Sequence, residues 1–135
     1  MRIVTSPTSK QVKELFENND CKTFRYFNKR PFDCIEDHLF TVLIYEKDKP
    51  IGYGHLDPEG NVTWLGIYLS PNYRGKGYAK IIMGILLSHA KDNIQLTVDK
   101  DNISAVSLYD NFGFVITDET ETYYMMEFEN DCETK

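Results

Sequence analysis

The densest chemistry in this chain lies between residues 69 and 80. Leu69-Ser70-Pro71-Asn72-Tyr73-Arg74-Gly75-Lys76-Gly77-Tyr78-Ala79-Lys80 runs from an apolar segment, through a Pro/Gly loop, into a helical pattern. Gly75 and Gly77 permit a tight turn and leave backbone amides uncovered by side chains. Because the loop opens a helix, its free N–H groups and the positive end of the helix dipole converge on one spot, which suits phosphate. Arg74, Lys76 and Lys80 add charge there. From Asn61 to Lys91 there is no Asp or Glu, although the chain as a whole carries a net charge of −6. An acidic protein with one acid-free, basic segment has a place for a polyanion. Taken alone, a Gly-x-Gly loop also serves as a plain connection, and the cations as a solvated helix entry.

The elements that must position this loop alternate along the chain. Met1 to Thr5 predicts a short strand. Thr8 to Gln11 forms a capping box ahead of the helical stripe Val12, Leu15 and Phe16. A short helix is expected after Pro31. Thr41 to Tyr45 and Ile51 to Leu56 read as a hairpin, Asp57-Pro58-Glu59-Gly60 as a turn, and Val62 to Leu69 as the most apolar strand. Gly77 to Ala90 predicts a helix with Tyr78, Ile81, Ile82, Ile85 and Leu86 on its buried face. Ile94 to Val98 follows as a strand and Ser104 to Asn111 as a helix, with closing strands near Phe114 to Thr117 and Thr122 to Phe128. One domain is expected over residues 1–129, with 130–135 as a disordered charged tail.

Composition narrows the class. At 135 residues with 41% hydrophobic side chains, the chain can bury one core. The longest apolar run, Ile81 to Leu87, is far shorter than a membrane span, and no signal-peptide core follows Met1. Cys21, Cys34 and Cys132 are odd in number and irregularly spaced, which favours a reducing compartment over a disulfide framework. A cytoplasmic protein without membrane or nucleic-acid partners is the expectation. The His and Cys residues show no metal-ligand spacing, so no metal is expected.

Arg74-Gly75-Lys76-Gly77-Tyr78-Ala79 resembles the R/Q-x-x-G-x-G/A motif of the GNAT acetyltransferase superfamily, with Ala79 as an accepted variant. Asn102, Ala105 and Tyr109, followed by Phe112-Gly113-Phe114, resemble that family's N-x-x-A-x-x-x-Y element and its G-F ending. The two motifs stand in the right order and the strand order agrees, so the resemblance covers nearly the whole chain.

The resemblance implies an α/β (α+β) fold with a mixed, mostly antiparallel sheet of six to seven strands, splayed at its centre and flanked by about four helices. It implies acetyl-CoA as cosubstrate. The pyrophosphate would lie on Gly75 to Lys80, and the pantetheine arm along Ile67, Tyr68 and Leu69. Asn102 would steady that arm or cap the following helix. Tyr109 would protonate the leaving thiolate, its alternative being one more packed aromatic. The splayed strand would also present an amide near Leu69 to the thioester carbonyl. A general base is harder to find. In the branch that acetylates ribosomal-protein N-termini a Glu precedes the Asn by five residues, but Thr97 stands there. His55, with a pKa suited to neutral pH, is the candidate beside a water chain to solvent.

The acceptor should be chosen between Cys21 and His38, where Lys22, Arg25, Lys29 and Arg30 interleave with aromatic residues. Arg25, Tyr26 and Arg30 are the candidate acceptor-binding residues. Arginine forks suit phosphates or carboxylates and aromatic faces suit sugars, so a small, anionic, amino-sugar-like amine is the expected acceptor. A protein N-terminus or lysine, or a non-catalytic acyl-CoA-binding module, are the alternatives. The oligomeric state is open between monomer and homodimer.

Overall fold

The computed structural model describes residues 1–17, 26–28 and 30–129. In chain order these form β1 (Arg2–Val4), α1 (Ser9–Glu17), two 3-10 turns (Tyr26–Asn28 and Phe32–Asp37), β2 (Phe40–Glu46), β3 (Lys49–Glu59), β4 (Val62–Leu69), a third 3-10 turn (Pro71–Tyr73), α2 (Tyr78–Ser88), β5 (Ile94–Asp99), α3 (Ile103–Asn111), β6 (Val115–Glu119) and β7 (Tyr123–Phe128). The strands make one seven-stranded sheet in the order β1-β2-β3-β4-β5-β7-β6. Every neighbouring pair is antiparallel except β4 and β5. This is the mixed, mostly antiparallel architecture the sequence implied. The expected tail, residues 130–135, lies outside the described residues.

Local rules explain most boundaries. Thr8 caps α1: Gln11 N–H donates to its Oγ1 at 3.2 Å while Thr8 N–H donates to Gln11 Oε1 at 2.8 Å, so both partners of the capping box are satisfied. The turn expected at Asp57 to Gly60 is instead strand, since β3 continues to Glu59 and the chain reverses at Gly60-Asn61. Gly60 supplies the positive φ of +63° that a two-residue hairpin needs at its first position. Pro58 is tolerated because β2 has already ended opposite Leu56, leaving that edge of β3 without a ladder to interrupt. The correction matters for function: it puts Asp57 on the same face as Tyr53 and His55.

Side chains of β3 divide the core in two. Tyr53 packs with Val12 and Leu15 of α1, Leu43, Tyr45 and Tyr68. On the opposite face Val42, Ile44, Leu56 and Leu65 pack with Ile82, Met83 and Leu86 of α2. Gly52 and Gly54 give α2 a flat seat, so the helix settles with Ile82, Met83 and Leu86 inward. Ile81, expected on the buried face, is 37% exposed at the rim. Each fully buried aliphatic side chain contributes roughly 1.5–3 kcal/mol, which fixes the helix rotation.

Candidate active site

β4 and β5 are joined through only two register pairs, Thr63 with Ile94 and Trp64 with Gln95. Beyond them β4 stays paired to β3 as far as Leu69, and β5 stays paired to β7 as far as Asp99. The two parallel strands therefore diverge, and a cleft of about 1110 Å³ opens between them. Residues of β4 alternate across the sheet, so the cleft has two mouths. Leu65, Ile67 and Leu69 face the α2 side, while Trp64, Gly66 and Tyr68 face the α1 side. From Leu65 onward the β5-facing edge of β4 carries backbone groups that no neighbouring strand pairs with, a state that favours an added extended partner.

At the α2-side mouth, Arg74, Gly75, Gly77, Ala79 and Lys80 line the cleft together with Ile67 and Leu69, and Tyr68 lines it from the α1 side. Gly75 and Gly77 have φ of +76° and +95°, which L side chains rarely adopt. Among the described residues, a Cβ built on either would meet no atom within 4 Å beyond its chain neighbours, so these backbones border open space. Gly77 is the N-cap of α2, and the first-turn N–H groups of Tyr78, Ala79 and Lys80 have no partner within the helix. Arg74 Nε donates to the Leu69 carbonyl at 2.9 Å, tying the loop to the end of β4. Lys76 and Tyr78 are adjacent but outside the lining. The Lys76 ammonium lies over the Tyr73 ring at 5.7 Å, and the Tyr78 hydroxyl donates to the Glu46 carboxylate, which pins the helix start to β2.

Two further expected residues come from α3. Tyr109 lines the cleft, is 6% exposed and packs against Phe114 with ring centres 5.9 Å apart. Burial raises its pKa well above that of a free phenol, so it keeps its proton at neutral pH. Asn102 also lines the cleft and caps α3, its Oδ1 accepting from Ala105 N–H at 3.4 Å.

The α1-side mouth holds Tyr26, Arg30, His55, Asp57, Glu59 and Trp64. Tyr26 donates its hydroxyl proton to Asp57 Oδ2 at 2.7 Å. The Tyr26 hydroxyl oxygen also lies 2.7 Å from His38 Nε2, and His38 Nδ1 lies 2.8 Å from Thr41 Oγ1. The exposed Arg30 sets its guanidinium 4.3 Å above the Tyr26 ring and donates to the Tyr26 carbonyl. Trp64 is half-buried, with its indole N–H donating to Glu59 at 3.0 Å. Arg25 lies outside the described residues.

His55 reaches this mouth in a form that weakens it as a base. It is 1% exposed, and its Nδ1 sits 2.6 Å from Tyr53 Oη. Burial, then His38 and Arg30, hold its pKa well below the usual histidine value. Such an imidazole is neutral at neutral pH and accepts a proton reluctantly.

Asp57, Glu59, Trp64, His38 and Thr41 were not singled out by sequence reasoning. The strand alternation Tyr53, His55, Asp57, Glu59 would have found two of them, had the Asp-Pro-Glu-Gly string not been read as a turn. Among the described residues, no helix is long and apolar enough to cross a membrane.

The comparisons with known proteins agree with this geometry. The family model described as the acetyltransferase (GNAT) family matches residues 8–114. The chain is similar to acetyltransferase PseH of Campylobacter jejuni, 24% identical over 89% of this chain and 87% of that protein. Its fold is similar to that of YncA from Salmonella typhimurium with its cofactor acetyl-CoA, at a TM-score of 0.79 and 15% identity over 99% and 96% of the two chains. It is likewise similar to PaiA N-acetyltransferase from Thermoplasma acidophilum in complex with coenzyme A, at a TM-score of 0.71 and 18% identity over 96% and 100%.

Proposed function

The chain belongs to the GNAT acetyltransferase family, and from that premise we propose that it moves acetyl from acetyl-CoA to the primary amine of a small acceptor entering at the α1-side mouth. The observation that carries this reading is the cleft through the sheet, with an anion-binding glycine loop at one mouth and a polar, carboxylate-bearing pocket at the other.

The residues present fit coenzyme A. Open space over Gly75 and Gly77 leaves room for phosphate oxygens where a Cβ would intrude. The α2 N-terminus, Arg74 and Lys80 supply the charge complement. The β5-facing edge of β4 at Ile67, Tyr68 and Leu69, beyond the last register pair with β5, is placed to meet an amide-bearing arm. When bound, acetyl-CoA supplies an acetyl group activated as a thioester. Transfer then asks two things: the amine must lose a proton, which passes to solvent through water in the open cleft, and the departing sulfur must gain one. Tyr109, protonated and beside the cleft, serves as the donor. Asn102 holds the start of α3, and so Tyr109, by capping the helix. No covalent enzyme intermediate is invoked, and the two substrates meet in one ternary complex.

The exposed Arg30 and the Trp64 ring support an acceptor carrying an anionic group and a sugar-like face, while Asp57 and Glu59 suit its ammonium end. An amino sugar bearing phosphate combines these features. Release of free thiol, measured at fixed acetyl-CoA over a panel of amino-sugar phosphates, simple amines and peptides, tests the reading. Good turnover of peptides with none of the small amines would replace it by a protein-modifying activity. Coenzyme A binding with no turnover on any amine would make the chain a binding module.

A further inference from the structure

We propose that Asp57 is the seat of the acceptor's ammonium group, and that Thr41, His38 and Tyr26 form a one-directional hydrogen-bond chain that holds its carboxylate in place. The proposal deepens the reading above and rests on its placing of the amine at the α1-side mouth.

Direction follows from counting protons. Tyr26 has a single hydroxyl proton, and it goes to Asp57 Oδ2. His38 Nε2, 2.7 Å from the same Tyr26 oxygen, must then be the donor of that contact. Burial lowers the His38 pKa despite the nearby Asp57 and Asp37, so the ring is neutral and its Nδ1 is bare. Thr41 Oγ1 is thereby left to donate to Nδ1. Each proton of the chain points toward Asp57.

That arrangement suits a clamp and not a proton wire. The chain ends at the buried Thr41, 7% exposed, and its protons run toward Asp57, so it offers the carboxylate a donor and takes no proton from it. Its effect is to polarise Tyr26 toward Oδ2 and fix the carboxylate plane. Among the described residues the side-chain hydrogen bond of Asp57 is the one at Oδ2, and the residue lines the cleft. Two ionisable groups packed around it carry no charge. Burial keeps His55 neutral, and burial raises the Cys34 thiol, 3.7 Å from the Tyr26 oxygen, so that it too stays uncharged. The Arg30 guanidinium lies on the Tyr26 ring. A carboxylate held in place at this half-buried mouth selects a cationic primary amine over an alcohol or an amide of similar shape.

The probes are glucosamine 6-phosphate, ethanolamine and a basic hexapeptide, each titrated at saturating acetyl-CoA with thiol release as readout. Asp57→Asn should raise the KM of every amine that turns over by at least tenfold, while calorimetric affinity for coenzyme A stays within twofold. Tyr26→Phe and His38→Gln keep the charge and loosen its placement, so each should raise acceptor KM about threefold to tenfold, again with coenzyme A affinity unchanged. Turnover by the wild type together with unchanged acceptor KM in folded Asp57→Asn would overturn the seat and leave the small-amine reading standing. Should Asp57→Asn not fold, unchanged acceptor KM in Tyr26→Phe would overturn the clamp. Where no probe turns over, calorimetry of the coenzyme A-loaded enzyme with the same amines decides. Loss of amine binding in Asp57→Asn supports the seat, whereas equal binding, or no amine bound by the wild type, removes it.

Discussion

Gly54 lies directly beneath Ile82: a Cβ built on the glycine would stand 2.6 Å from Ile82 Cγ2 and 3.0 Å from Leu86 Cδ1. This contact sets how closely α2 approaches β3, and α2 carries the glycine loop at its N-terminus. Gly54→Ala should therefore act through packing, lowering stability by about 1–3 kcal/mol as overpacked cores do. Thermal unfolding of the variant checks it, and an unchanged Tm would show that α2 has slack the packing does not reveal.

Gly77 presents the opposite case, since among the described residues nothing beyond its chain neighbours stands within 4 Å of its missing Cβ. Gly77→Val should leave the fold intact, at a backbone cost of about 1–2 kcal/mol for a non-glycine residue at φ +95°. It should raise the acetyl-CoA KM at least tenfold, equivalent to about 1.4 kcal/mol. A folded variant with wild-type KM would take the loop out of the site.

Tyr109→Phe keeps the ring against Phe114 and deletes only the hydroxyl. Steady-state kinetics should show kcat reduced by roughly 10²- to 10⁴-fold, the usual worth of general acid catalysis, with acetyl-CoA KM within a few-fold. Wild-type turnover would return Tyr109 to a packing role.

His55 predicts a pH dependence of stability. Its folded-state pKa lies well below the ordinary value, so the unfolded chain takes up a proton near pH 6.5 and the folded chain does not. Stability should fall as pH drops below about 6.5, by up to about 1.4 kcal/mol per pH unit for one fully titrating site. Tm measured between pH 7.5 and 5.5 should decline more steeply in the wild type than in His55→Gln. Parallel slopes would assign the loss to other groups.

The sequence by itself determined the loop and the frame around it. Gly75, Gly77 and the strand before them carry their meaning locally, because turn chemistry and helix capping depend on neighbours a few residues apart. The order of strands and helices followed from hydrophobic periodicity in the same way, and with the Asn102 and Tyr109 pattern it identified the family. What only the tertiary structure decided is the α1-side mouth. Tyr26, His38, Thr41 and Asp57 span 32 positions of the chain, and no local rule joins them; they meet because β2 and β3 pair and the 3-10 turns fold over that face. The basicity of His55 was decided there too. A histidine's ordinary pKa is a property of its residue type, but desolvation beneath Tyr26 and beside Tyr53 belongs to the packed fold, and it converted the candidate base into a buried neutral ring.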